Sequence, residues 1–393
     1  MASALFSPIS LGTRTLANRI VVSPMCQYSA EDGSATPWHR VHLGGFAGSG
    51  AGLVMVEATA VERAGRITHG CLGLYSDANE AALRDTLAVC RSIGSGRFGI
   101  QLNHAGRKGS CQPPWAGGAP LGPHDDPWRL WSASEVEGTD CVACGRADLE
   151  RIRQAFADAT RRAVRLGFDV IEMHAAHGYL LHQFLSPLSN RRTDAYGGSL
   201  DNRMRFPLEV FEAMRAAAPE QVAIGARITG SDWVEGGISI AETMTFAREL
   251  QRRGSDFVDV TSGGLVPAQI RIAPGYQVPF ARAVREAVDM PVWAVGMIVD
   301  PRQAEELVLA GSADMVALAR AFIDNPHWPY EAARVLGADI DYPKQYARAC
   351  PSVWPGSRLK DVAHGAWLTK RQPPALRAAS PAPPLRHPKA PHA

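Results

Sequence analysis

No run of the 393 residues stays apolar long enough to cross a bilayer. The N-terminus, Met1-Ala-Ser-Ala-Leu-Phe-Ser-Pro8, has neither a basic n-region nor a long apolar h-region. A membrane span and a secretory leader are therefore not expected, and the cytoplasm is the expected compartment. Charge of one sign is also scarce. The formal net charge is +2, with no compact Lys/Arg block before the C-terminus, so neither nucleic acid nor an anionic membrane is expected as the main partner. The seven cysteines are odd in number and scattered, which suits a reducing compartment. Cys141 and Cys144 form a lone CxxC, without the second pair that a zinc or iron–sulfur set needs, so no metal is expected. No GxGxxG follows the first apolar segment, which weighs against a doubly wound open sheet.

What is present is a globular composition, 46% hydrophobic and 20% charged, in a chain long enough for one large α/β barrel or two ordinary domains. Apolar, β-rich segments recur at 20–25, 52–57, 98–102, 168–174, 222–228, 257–261, 291–295 and 313–318. Their hydrophobicity is continuous rather than alternating, as a parallel sheet buried on both faces requires. Helical stretches with start and stop signals lie between them. Asp148 precedes 149–166, with Gly167 as the stop. Ser239-Ile-Ala-Glu242 reads as a capping box with Gly254 at the far end, and Asp300-Pro301 opens a helix that Gly311 closes. Eight strands alternating with helices predict an α/β fold, the closed (β/α)8 TIM barrel. The barrel domain is expected over residues 1–360. Within it 108–146, rich in Pro, Gly and Trp, is too long for an ordinary loop and reads as an extended cap over the C-terminal mouth. Residues 361–393 form a Pro/Ala-rich basic tail without acidic residues beyond Asp361, expected to be disordered and solvated.

Chemistry in such barrels collects at the C-terminal strand ends. The fourth ends in His174-Ala-Ala-His177-Gly-Tyr179. Two imidazoles can donate to one carbonyl or nitro oxygen while a phenol delivers a proton beside it. An HxxH is also met as a satisfied structural pair. The first strand delivers Ser23, Pro24, Met25, Cys26, Gln27 and Tyr28, the second Glu57 and Ala58, and the third Gln101 with His104 beyond it. The fifth ends at Arg227 and the sixth at Ser262-Gly-Gly264. Gly296 after strand seven, with Ala319 and Arg320 after strand eight, suggests a phosphate site, although the glycine could merely serve a turn. Arg227, on an apolar strand, needs an anionic partner. Either a carboxylate such as Glu57 or Glu172 neutralises it, or a ligand that becomes negative, such as a reduced flavin, does. Gln101 could face the edge of that ring.

Several stretches closely resemble the Old Yellow Enzyme family of flavin-dependent ene-reductases, in the bacterial branch with cysteine in its first-strand motif. They include Ser23-Pro-Met-Cys-Gln-Tyr28, Val56-Glu-Ala58, Ile100-Gln-Leu-Asn-His-Ala-Gly-Arg-Lys108, His174-Ala-Ala-His-Gly-Tyr179, Phe184-Leu-Ser-Pro-Leu-Ser-Asn190 and Ala294-Val-Gly-Met297, and the match runs to about Tyr346. The resemblance implies a barrel with non-covalent FMN at its mouth. Ser23, Pro24, Met25, Cys26, Ala58, Gln101, Arg227, Ala319 and Arg320 match flavin-contacting positions. Tyr28, His174 and His177 match substrate-binding positions, and Tyr179 matches the usual proton donor. Cys26 is implied to tune the flavin. Gln345-Tyr-Ala-Arg348 resembles a piece whose arginine reaches a neighbouring subunit's substrate site, so a homodimer or larger homo-oligomer is implied. Departures are Asn103 where a small residue is expected, Ala319 for a glycine, and Ala347 for an aromatic.

The implied reaction is ping-pong: NADPH or NADH reduces FMN, then an activated alkene (an α,β-unsaturated aldehyde, ketone or nitro compound) takes the hydride. Other readings of the same residues are an FMN-dependent xenobiotic or nitro reductase, and a metal-dependent TIM-barrel lyase using Glu172, His174 and His177. The physiological alkene and the choice between NADPH and NADH are not legible.

Overall fold

Eight parallel strands close on themselves in the computed structural model of the protein, which describes residues 2–94 and 96–357. They are β1 (Ile20–Val22), β2 (Leu53–Ala60), β3 (Arg97–Asn103), β4 (Val170–Ala175), β5 (Ala223–Thr229), β6 (Phe257–Thr261), β7 (Val292–Ala294) and β8 (Met315–Leu318). Each pairs with the next, and β8 pairs with β1 to complete the barrel. Every residue of β2, β4 and β5 is buried, which explains the unbroken apolar runs: one face meets the barrel interior and the other meets helices.

Helices follow the strands in turn. α1 (Pro37–Ala47), α2 (Asp77–Ile93) and α3 (Arg146–Arg165) follow β1, β2 and β3. A short α4 (Leu180–Leu185) and α5 (Leu200–Ala217) follow β4. Then come α6 (Ile240–Arg252), α7 (Val278–Arg285) and α8 (Pro301–Leu309), with α9 (Arg320–Asp324) and α10 (Trp328–Leu336) after β8. The capping signals hold at α6, where Ser239 and Glu242 satisfy each other's backbone N–H groups, and at α8, where Asp300 accepts from the Arg302 amide at 2.7 Å. At α3 the expectation needs correction. Gly145 is the N-cap, and Asp148 lies inside the first turn, its carboxylate accepting from the Gly145 amide at 3.0 Å.

The first strand is shorter than the 20–25 read from sequence. Its ladder makes one more bond, Ser23 N–H to the Leu318 carbonyl at 2.9 Å, and then meets Pro24, which has no N–H to continue it. The fourth starts at Val170 rather than 168, because Phe168 still donates back to Ala163 at the end of α3.

The N-terminal end of the barrel is plugged. A hairpin of Ile9–Leu11 and Arg14–Leu16 buries Leu11 and Leu16 against Val21, Leu53, Met55, Phe257, Trp293 and Met315. Trp293 stacks on Phe257 at 4.3 Å between ring centres. Phe257 fits only because its register partner is Gly225, where a Cβ would stand 2.5 Å from the Phe257 carbonyl oxygen. With apolar side chains filling this end, polar groups inside the barrel are confined to the other, where the strands terminate.

Two compact units divide the chain, Met1–Ile340 and Asp341–Ala393. The barrel belongs to the first; the described part of the second holds a 3-10 turn, Lys344–Ala349. The tail at 361–393 lies outside the described residues.

Candidate active site

Side chains from four adjacent strands meet beneath the mouth. Gln101 on β3 lies in register with Glu172 on β4, and its Nε2 donates to Glu172 Oε1 at 2.6 Å. His174, two residues on, is in register with Arg227 on β5, which is in register with Asp259 on β6. The Arg227 guanidinium sits 3.1 Å from the Asp259 carboxylate and donates from its other arm to Ser23 Oγ at 3.1 Å. Glu172 and Asp259 are fully buried. Burial and the nearby Asp259 push Glu172 up to about 8, against the pull of Arg227 and Gln101. Burial likewise pushes Asp259 up to about 6, with Arg227 opposing.

Asp259 therefore neutralises Arg227 most directly, where Glu57 or Glu172 had been expected. The signal for it was a lone carboxylate in the apolar strand Phe257-Val-Asp-Val-Thr261. Glu57 instead stands beside a register shift in β2, between Val56 and Ala58, which turns its carboxylate toward the β1 loop. There it accepts from the Gln27 amide at 2.9 Å and meets His39 at 3.3 Å. His104, also read as a strand-end group, is buried with its Nε2 2.9 Å from the Glu62 carboxylate.

The two imidazoles come together as expected. His174 Nε2 and His177 Nδ1 are 3.3 Å apart, and His177 Nε2 lies 2.9 Å from Thr261 Oγ. Burial, His177 and Arg227 hold His174 well below the ordinary imidazole range; burial, Arg227 and Lys108 do the same for His177. Both rings are thus neutral near pH 7, each with one donor and one acceptor. The Tyr179 ring packs edge-on to His174 at 4.8 Å, and burial holds its phenol well above the usual range, so its proton stays on.

Backbone geometry aims these groups. His177 has φ of 57° and Gly178 of 76°, a left-handed pair in a tight loop. The Gly178 amide donates to His182 Nδ1 at 2.8 Å, and His182 Nε2 meets the fully buried Asp232 at 3.1 Å. Only a histidine inside an apolar helix pointed to this His–Asp anchor beforehand.

The 108–146 segment reaches the mouth. Lys108 Nζ donates to the carbonyls of His177 and Gly264, each at 2.9 Å, and lies 5.2 Å from the Tyr179 ring centre. Trp115 meets Tyr28 edge-on at 5.8 Å. Farther along, Val142–Ala143 pairs as a strand with Trp131–Ser132. Cys141 and Cys144, on either side of that strand, are both buried free thiols.

A cavity of about 340 Å³ opens beside this cluster. Ser23, Pro24, Arg227, Gly296, Ala319 and Arg320 all line it, and so does His177. Gly296 has φ of 99°, and a Cβ there would stand 2.6 Å from Gln277 Nε2, so only glycine leaves this backbone open. A guanidinium set deep in a cavity, with an open backbone and a second arginine at its rim, fits a ring that gains negative charge and carries a phosphate. Cys26 is half-buried; burial, Glu57 and Cys71 push its thiol well above the usual range. Met25 packs against the core, and Ala58 is buried at the end of β2. Asn103 is buried with its Oδ1 unpaired. Arg348 is exposed in the 3-10 turn of the second unit. Among the described residues no three His, Cys, Asp or Glu side chains converge as metal ligands, and no helix is long and apolar enough to cross a membrane.

Comparison with known proteins gives a consistent picture. The sequence profile of the NADH:flavin oxidoreductase / NADH oxidase family matches residues 4–338. An NADPH dehydrogenase from Geobacillus sp. (strain WCH70) is 43% identical over 350 residues, covering 88% of this chain and 99% of the relative. The NADPH dehydrogenase of Bacillus subtilis (strain 168) is 41% identical over 350 residues, with the same coverage. Among solved structures, morphinone reductase superposes with a TM-score of 0.71 at 28% identity, covering 88% of this chain and 92% of that one.

Proposed function

The chain belongs to the NADH:flavin oxidoreductase / NADH oxidase family, and on that premise we propose that it is an FMN-dependent NADPH dehydrogenase that reduces activated C=C bonds. FMN, when bound, would supply the hydride chemistry that links NADPH or NADH to an α,β-unsaturated aldehyde, ketone or nitro compound.

The protein's own part is to bind, orient and protonate. Arg227, its guanidinium fixed by Ser23 and Asp259, would offset the negative charge of a reduced flavin. Gln101, held by its bond to Glu172, would read the edge of the ring. Pro24, Met25, Cys26 and Ala58 would line the flavin, and Gly296, Ala319 and Arg320, which line the cavity, would hold its phosphate. His174 and His177 grip the substrate's electron-withdrawing oxygen and draw charge from the alkene. Tyr179, still protonated, gives its proton to the α-carbon. Tyr28 and Arg348 complete the substrate site, the latter in a homodimer or larger homo-oligomer. Seven free thiols suit a reducing compartment such as the cytoplasm.

The observation that carries this reading is the pairing of His174 and His177 at 3.3 Å, with Tyr179 against His174 and Arg227 lining the adjoining cavity. Tyr179→Phe is expected to slow alkene reduction at least about tenfold while flavin reduction by NADPH stays largely intact. Stopped-flow measurement of the two half-reactions separates these effects. Loss of both, with FMN still bound, contradicts the role of the phenol.

A further inference from the structure

Behind His177 runs a chain of hydroxyl and amide groups that the reaction above does not use. Its far end is fixed. Trp233 Nε1, which can only donate, bonds Ser262 Oγ at 2.9 Å. Ser262 donates its own proton onward, to Gln277 Oε1 at 2.7 Å. This orients the Gln277 amide with its oxygen toward the strand end. Thr261 Oγ lies 3.1 Å from the same Gln277 oxygen and 2.9 Å from His177 Nε2. Thr261, Ser262 and Gln277 are all largely buried and, with His177, line the wall of the cavity described above.

Thr261 has one proton and two acceptors to choose between. If it donates to Gln277, its oxygen accepts from His177 Nε2–H, and His177 Nδ1 is left as an acceptor. That state matches the two imidazoles facing each other. The Ala176 amide donates to His174 Nδ1 at 3.2 Å, which puts the His174 proton on Nε2, aimed at His177 Nδ1. If Thr261 instead donates to His177 Nε2, the His177 proton must sit on Nδ1. Then His174 Nε2–H and His177 Nδ1–H point at the same place, and their mutual bond has no acceptor. A ligand oxygen between them supplies it, taking both donors. Gln277 Oε1 keeps the Ser262 hydroxyl, so no buried group is stranded by the exchange.

We propose that Thr261 is a positioning residue that sets the tautomer of His177, turning its hydroxyl from Gln277 to the imidazole when a carbonyl or nitro oxygen enters. The inference rests on the proposed function, in which that oxygen is gripped by both rings. The exchange is neutral overall: the Nε2 proton passes to water in the adjoining cavity, which both His177 and Thr261 line, and a water proton is taken up at Nδ1. The low proton affinity of both rings is consistent with it, because two imidazolium ions would need no tautomer change.

The holoenzyme, reduced with dithionite so that nicotinamide binding does not enter, is mixed with 2-cyclohexenone, and reoxidation is followed against enone concentration. Thr261→Val keeps the side chain's shape and removes its proton. It is expected to raise the apparent enone Kd about tenfold, as loss of one hydrogen bond to a neutral acceptor implies. Thr261→Ser is expected to return it to near the wild-type value. Nitrogen-15 NMR of histidine-labelled wild-type protein reads the tautomer without any substitution. The His177 proton is expected on Nε2 in the free enzyme and on Nδ1 with 2-cyclohexenone bound to the oxidised form. Wild-type enone affinity in Thr261→Val, or a proton that stays on Nε2 in the complex, overturns the inference and leaves the enzyme's activity in place. A wild-type flavin that the enone does not reoxidise overturns the reading of function and the inference with it.

Discussion

At the scale of single residues, the site is a set of charges and protons placed where water cannot correct them. Arg227 faces two buried carboxylates, and one guanidinium does not neutralise both. Glu172 is the one that keeps its proton, with a titration pushed up to about 8 from the usual 4.5. Because the folded chain holds that proton while the unfolded chain has released it, stability falls as pH rises from about 4.5 to about 8 and levels off above. Glu172→Gln is expected to remove this slope. Its Tm, relative to wild type, should rise between about pH 5 and pH 8. A Tm difference that moves the other way contradicts a raised Glu172. Sequence reading found Arg227 and the need for an anion but not Asp259. A buried arginine on one strand does not say which neighbouring strand answers it, since that depends on register. The histidines and Tyr179 were legible because they crowd into one short motif; Thr261 and Gln277 were not, because hydroxyl and amide groups at strand ends are common.

At the scale of elements, the loop after β4 is the part most tightly specified. Its left-handed His177 and Gly178 let the chain turn sharply enough to bring His174, His177 and Tyr179 into one cluster. Gly178 also packs directly on the loop after β6, where a Cβ would stand 2.5 Å from the Gly264 carbonyl oxygen and 2.8 Å from Leu265 Cα. Those neighbours are backbone and cannot rotate away. Gly178→Ala is therefore expected to destabilise the fold by about 1–3 kcal/mol and to lower enone turnover by more than tenfold. Thermal unfolding and steady-state rates check this, and a variant with wild-type Tm and turnover would mean the loop has room to shift. The strands themselves were legible because both faces are buried and the apolar runs are unbroken. Their ends were less so. Pro24 stops β1 early, and Phe168 belongs to the turn that ends α3 rather than to β4. Asp148 looked like a cap because it precedes an apolar periodic stretch, yet helix α3 starts two residues earlier and uses it from within the first turn.

For the whole molecule, the barrel separates two tasks. One end is closed by Leu11, Leu16, Phe257 and Trp293, and the other collects the polar strand ends, the cavity and Lys108. The alternation of strands and helices carried that architecture plainly in the sequence, since only a closed parallel sheet buries every strand on both faces without edges. The unusual length of 108–146 was legible; the bonds of Lys108 to the His177 and Gly264 carbonyls were not, because nothing local marks a lysine for that work. The central claim is that this end of the barrel holds FMN and passes reducing equivalents from a nicotinamide to an activated alkene. The most direct measurement is the visible spectrum of the purified protein under anaerobic conditions, first with NADPH and then with 2-cyclohexenone. The expected result is a flavin band that bleaches with NADPH and returns with the enone. A protein that shows no flavin band even after reconstitution with FMN, or a reduced band that the enone leaves bleached, contradicts the account.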